Sequence, residues 1–302
     1  MDTHSIAGAG LTAVIKAEGA ELCSLRDAAG RELLWQVQQP WPRHAPNLFP
    51  IVGRLRDDRL RLDGQEYRVT QHGFARDQRF EWAQHGPDAC RLVLADSAAT
   101  RAMFPRAFRF EIAYAVQADT LLVTFRVINP GNVVLPASMG AHPAFRWPLP
   151  GGIAKQDHTL EFDREETAPI RRVAGGLMLA ETFPNPVQGR LLRLDTTLFA
   201  HDAIIMDRPA SRSVRYTASG PPGAASGPSG AAPDAPVIKV SWDDGFPELG
   251  IWSRPDADLL CIEPWHGMSS PADFDGDFHD KPGVMLLQPG ETRHATYRIR
   301  IS

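Results

Sequence analysis

The stretch FRFEIAYAVQADTLLVTFRV, from Phe108 to Val127, decides the fold. Phe108, Phe110, Ile112, Tyr114 and Val116 alternate with Arg109, Glu111, Ala113 and Ala115; beyond Ala118-Asp119-Thr120 the same period continues through Leu121, Val123, Phe125 and Val127. Successive side chains of a strand point to opposite faces, so each half reads as a half-buried strand and the two together as a hairpin. The chain end repeats the pattern, with Ala295, Tyr297, Ile299 and Ile301 set against Thr296, Arg298 and Arg300. Working outward, shorter strands are expected at 10–16, 20–26, 66–70, 91–95, 159–162, 203–207, 237–242 and 259–263. The 25 glycines and 26 prolines between them suit turns and break helices. No amphipathic helix longer than two turns emerges. Many short strands without intervening helices predict an all-β fold, a large antiparallel β-sandwich that needs no βαβ crossover.

With 302 residues, 43% of them hydrophobic and 23% charged, the chain can bury a large core, which excludes wholesale disorder. The segment Thr217–Pro236 has no bulky apolar side chain and cannot offset the entropy of ordering it. We expect a mobile loop inserted between strands of one domain spanning 1–302. A net charge of −4 with scattered basic residues gives no field that would draw the protein to nucleic acid or anionic membrane. Cys23, Cys90 and Cys261 are odd in number and lack close spacing, so neither a disulfide framework nor a cysteine metal site is indicated. Nothing approaches the roughly 18 apolar residues of a membrane span, and the first residues lack a basic segment followed by an apolar run. These features predict an unprocessed cytoplasmic protein. Strand edges would allow a monomer or a homodimer.

Four clusters combine ionisable groups with rigid backbone: NLFPIVGRLR (47–56), QHGFARD (71–77), MGAHPAF (139–145) and CIEPWHG (261–267). A nucleophile elbow, a close pair of metal ligands and a glycine-rich phosphate loop are all missing. What is left is histidine, carboxylate and arginine in a β-rich frame, the equipment for moving protons on a hydroxyl-rich substrate. His142 and Glu263 each precede a proline, which presses them into extended backbone. That stiffening would preorganise an acid–base pair, or simply mark two strand exits. Alternation along 259–263 puts Leu259, Cys261 and Glu263 on one face and Leu260 and Ile262 on the other, both apolar. A carboxylate there would be desolvated and its pKa raised, as suits a general base, unless Arg54 or Arg76 pairs with it. His72 could bind substrate or be a satisfied structural histidine. Arg54 could grip a hydroxyl or hold a carboxylate, and Trp265 could floor a sugar or merely pack. The run DFDGDFHD (273–280) lacks the spacing of a calcium loop, so no metal is expected.

At these clusters, together with the asparagine of VIN (127–129), PELGIWS (247–253) and KPGVMLLQPGE (281–291), the sequence resembles the aldose 1-epimerase family, with its galactose mutarotase-like supersandwich, and in particular its LacX-like branch. The resemblance runs from about Gly10 to the C-terminus. It implies a cofactor-free isomerase acting on a monosaccharide. His142 would protonate the ring oxygen and Glu263 would deprotonate the anomeric hydroxyl. His72 and Arg54 would bind the sugar, with an aspartate for its hydroxyls at Asp202 or, as rival, Asp207. The stretch 217–236 departs from the family pattern. QHGFAR is shared with hexose-6-phosphate 1-epimerases, in which case Arg54, Arg56, Arg76 and Arg79 would hold a phosphate. A sugar-binding protein without catalysis is the alternative of a different class.

Overall fold

The computed structural model describes residues 2–218 and 235–302. Its strands all pair antiparallel with one another, and the only α-helix among the described residues is the four-residue Ala98–Arg101. The hairpin read from the sequence is present. Arg109–Gln117 pairs with Thr120–Ile128 in the register Thr120↔Gln117 to Ile128↔Arg109, around a two-residue turn whose Ala118 has φ +54°.

This hairpin lies within a nine-stranded sheet. From one edge its order is Leu191–Arg193, His158–Phe162, Ser213–Ala218, Ile238–Trp242, Thr292–Ile301, Thr120–Ile128, Arg109–Gln117, Ala89–Ala95 and Glu81–His85. A six-stranded sheet packs on it, with the order Ile204–Met206, Glu248–Trp252, Leu259–His266, Met139–Ala141 and Asn47–Leu48. Ala144–Arg146 also pairs with Leu259–His266. Thr3–Ala7, Leu11–Lys16 and Leu22–Asp27 form a smaller three-stranded sheet. The main core fills the space between the sheets. In it Phe49, next to Leu48, stacks on Phe110 of the hairpin with centroids 4.7 Å apart, and Leu260 and Ile262 are wholly buried. Excluding these rings from water is the chief driving force that holds one sheet against the other.

The structure revises two expectations. Thr217 and Ala218 are strand residues, paired with Thr159 and His158, so the expected loop cannot begin at Thr217. Thr217 sits opposite another β-branched residue there and shares a hydroxyl hydrogen bond with Thr159. Residues 219–234 of that segment lie outside the described residues; the strands on either side, Ser213–Ala218 and Ile238–Trp242, pair directly with each other. Glu263-Pro264 is not a strand exit either, because Leu259–His266 runs straight through it. Pro264 has no N–H to donate, and by the register on either side it falls opposite Ala141, at the edge of the gap where His142-Pro143 interrupts the neighbouring strand. Both prolines therefore mark one break in the ladder. The three cysteines are free thiols. No helix among the described residues is long and apolar enough to cross a membrane.

Candidate functional site

The break between Met139–Ala141 and Ala144–Arg146 opens onto a cavity of about 320 Å³, within the usual range for small-molecule sites. Alternation along Leu259–His266 sends Leu260 and Ile262 into the main core. Leu259 and Cys261 pack in one satellite apolar cluster and Trp265 in another. Glu263 lies between the two, at the floor of the cavity and 1% exposed. Trp265 lies across Gly250, where an added Cβ would come within 2.4 Å of the indole.

His142 enters from the interrupted strand, and its Nε2 lies 3.2 Å from Glu263 Oε2. Burial drives the two groups in opposite directions. It lowers the imidazole to about 3, assisted by the charges of Arg76 and Arg43 and opposed by the residue's own backbone. It raises the Glu263 carboxyl well above the usual range, assisted by the charge of Asp202. The Trp265 indole N–H opposes that rise without making a well-formed hydrogen bond to the carboxyl. Burial thus favours the uncharged form of each group, and the two atoms lie within contact distance without a well-formed hydrogen bond between them. Neither Arg54 nor Arg76 makes an ion pair with Glu263 among the described residues.

His72 stands at right angles to His142, ring centroids 5.6 Å apart. It has φ +66° in a tight turn whose next residue must be glycine, since a Cβ on Gly73 would lie 2.2 Å from the Phe49 carbonyl oxygen. The Gly53 N–H donates to His72 Nδ1 at 3.1 Å, which leaves the proton on Nε2. Burial, then His142, Arg76 and Arg43, keep this ring neutral.

Among the other expected residues, Arg76, Asp202 and Trp265 line the cavity, whereas Asp207 does not. Asp202 has φ +63° and one carboxylate oxygen caps the Ala203 N–H at 2.8 Å, leaving the other oxygen available. Arg76 donates to the Gln71 carbonyl, but its buried Nε has no partner. Its nearest carboxylate, Asp77, is 3.8 Å away and is held by Arg43 at 2.9 Å. Burial and Arg43 lower the Arg76 guanidinium to about 10. Arg54 is directed elsewhere: its Nε bonds Asp58 at 2.8 Å, and only its backbone neighbour Gly53 faces the cavity. Arg79 is held by Asp2 and Glu18, and Arg56 lines a separate surface cleft. The four arginines considered for a phosphate do not converge.

Residues the sequence reading passed over complete the walls. Trp41 stacks on His142 at 5.3 Å and 26°, Trp252 meets it edge-on at 5.8 Å, and Gln71, Arg254 and Ser269 line the rim. The available signal for Trp41 was an aromatic ring between two prolines in PWPRHAP (40–46). His142, Cys261 and Glu263 bring ligand-type atoms within 4.8 Å of one another. Burial pushes the Cys261 thiol well up, away from the thiolate that a soft metal requires. Asp63, Asp277 and His279 also cluster, yet Asp63 is paired with Arg106, and Asp277 accepts the backbone N–H groups of Asp63 and His279. A histidine and a carboxyl 3.2 Å apart, both driven by burial toward their uncharged forms and set beside two aromatic walls, are suited to acid–base chemistry on a polar ring.

Known proteins share this frame. Residues 2–230 match the profile of the family described as aldose 1-epimerase. The plasmid-encoded protein LacX of Lactococcus lactis is 32% identical over 96% of both chains. A galactose mutarotase related enzyme from Lactobacillus acidophilus superposes with a TM-score of 0.86 at 28% identity, covering 99% of this chain and 97% of its own. A galactose mutarotase-like protein from Lactobacillus casei superposes at 0.87 with 26% identity, over 99% and 100%. The sandwich is thus the galactose mutarotase-like fold, and the chain belongs to the aldose 1-epimerase family of carbohydrate epimerases.

Proposed function

We propose that residues 1–302 form one mutarotase domain that interconverts the α and β anomers of a free hexose, with Glu263 as base and His142 as acid. The 3.2 Å contact between His142 Nε2 and Glu263 Oε2 carries this assignment. The ring oxygen and the anomeric hydroxyl are bonded to the same carbon, so an acid and a base that serve both must be neighbours. Burial sharpens each group: a carboxylate raised in pKa is a strong base, and an imidazolium lowered in pKa is a strong acid. The cost of burial is a small population of both charged forms, and passing a proton from Glu263 to His142 limits it. Transfer across the contact yields carboxylate and imidazolium together, with no net charge created in the cavity.

The carboxylate then takes the anomeric O–H proton while the imidazolium protonates the ring oxygen, and the C1–ring oxygen bond breaks to leave an aldehyde. Rotation about C1–C2 and reclosure with the roles reversed give the other anomer and restore the pair. His72 Nε2–H donates to a sugar oxygen, Asp202 accepts from a hydroxyl, and Trp265 bounds the ring. Arg54 reaches the sugar only by exchanging Asp58 for it. The three free thiols suit a reducing cytoplasm.

The incompletely paired Arg76 favours a second reading, a sugar phosphate, because a buried guanidinium short of a carboxylate gains most from an anionic ligand. Saturation-transfer NMR on galactose, glucose and glucose 6-phosphate decides among the possibilities. Faster exchange of the free sugars supports the mutarotase. Preference for the phosphate that is lost in Arg76→Met supports the second reading, and binding without faster exchange of any sugar leaves a carbohydrate-binding protein.

A further inference from the structure

An acid–base histidine is normally oriented through its far ring nitrogen, which bonds a carboxylate or carbonyl and fixes both the ring plane and the tautomer. His142 lacks that support. Its Nδ1 is buried, and no other residue bonds to it. The Nε2–Glu263 contact alone leaves the ring free to turn about that axis. What meets the imidazole instead is aromatic: Trp41 flat against one face, with Trp252 and His72 edge-on.

The Trp41 segment is fastened to the same frame as the histidine. The Trp35 indole N–H donates to the Trp41 carbonyl at 2.9 Å, and the Trp41 N–H donates to the Gln38 carbonyl at 3.0 Å. Three and four residues on, the N–H groups of His44 and Ala45 donate to the buried Glu21 carboxylate, at 2.7 and 2.9 Å, and that carboxylate pairs with Lys16. The Ala144 N–H, two residues past His142, donates to the His44 carbonyl at 3.0 Å, and the Ala144 carbonyl accepts the Trp35 N–H at 2.9 Å. Both ends of the segment are thus tied to the strand that carries the histidine.

We infer that Trp41 is a positioning residue for the reaction, and that its stacked indole holds the His142 plane so that Nε2 faces Glu263. The inference rests on the acid–base reading of the pair. The indole face against His142 is occupied and cannot be a platform for sugar; the rest of the ring lines the cavity, so the division of an effect between kcat and KM separates positioning from substrate binding. Trp41 also shields the ring from water. Besides Trp41, the groups facing His142 are Glu263, Cys261, His72, Trp252 and the Arg76 and Arg43 charges, and none of these covers that face.

The test uses Trp41→Ala and Trp41→Phe in the full chain. Their kcat and KM for anomer exchange are measured with the imidazole 15N spectrum of His142 in the sugar-free protein. Trp41→Ala should lower kcat about a hundredfold, as expected for a catalytic group misplaced by about 1 Å, with KM little changed and the His142 resonances averaged by ring motion. Trp41→Phe, which keeps a stacked ring, should restore most of kcat and the ordered spectrum. A normal kcat in Trp41→Ala, or a loss confined to KM, overturns the inference. If the wild-type protein accelerates no sugar, the acid–base reading fails separately, and an unaltered His142 spectrum in Trp41→Ala would still refute the positioning role.

Discussion

Glu111 and Glu263 are both glutamates buried to within a few percent in strands of the same molecule, and their surroundings are opposite. Burial acts to raise the Glu111 carboxyl, but Arg109 at 2.6 Å, Arg126 at 2.8 Å and Arg91 at 3.6 Å outweigh it and hold the group below the usual carboxylate range. Glu263 has a neutral imidazole at 3.2 Å, a nearby Asp202 and no cation, so it is raised. Glu111 is fixed in one protonation state and serves the sheet. Glu263 is pushed toward its protonated form, a perturbation of the kind found where protons are transferred.

The largest difference should appear on the partner side of the pair. His142→Asn should lower anomer exchange by about 10²–10⁴-fold while the folded spectrum is retained. Neutralising Glu111 by Gln should instead leave turnover near normal and cost about 2 kcal/mol in chemical denaturation, since three guanidinium groups lose their common acceptor. If Glu111→Gln impaired turnover as severely as His142→Asn, the division between the two glutamates would collapse.

A smaller effect concerns stability against pH. The ordinary carboxyl value is 4.5 and the folded value of Glu263 is higher. Between these two values the folded chain keeps a proton that the unfolded chain has released, so this group costs the wild type stability as pH rises. Glutamine carries no such cost. Glu263→Gln should therefore be more stable than wild type at neutral pH by about 1 kcal/mol, with the gain vanishing below pH of about 4. Stability curves parallel over the whole range would mean that Glu263 is ionised in the folded protein.

The fold was legible because alternation survives wherever one strand face is buried, as at 108–116 and 121–127. Strands without alternation were not: Met139–Ala141 and Glu248–Trp252 are apolar or buried at nearly every position, and Thr3–Ala7 is exposed at most of its own. At the site, Glu263 was legible through its apolar flanks and His142 through its proline, because both signals are local. Arg54 illustrates the limit. Its motif pointed to the sugar, but Asp57 and Asp58 adopt positive φ and bring Asp58 onto the guanidinium, a loop conformation that spacing does not encode. Trp41 was hidden for the same reason: the hydrogen bonds that fasten its segment come from Glu21 and Ala144, far along the chain.

The most direct test is the turnover of Glu263→Gln in anomer exchange by saturation-transfer NMR, set beside the wild type on its best sugar. A fall of about a thousandfold, in a protein at least as stable as the wild type, is the predicted result. Turnover within a few-fold of wild type in the same folded variant would contradict the assignment of Glu263 as the base.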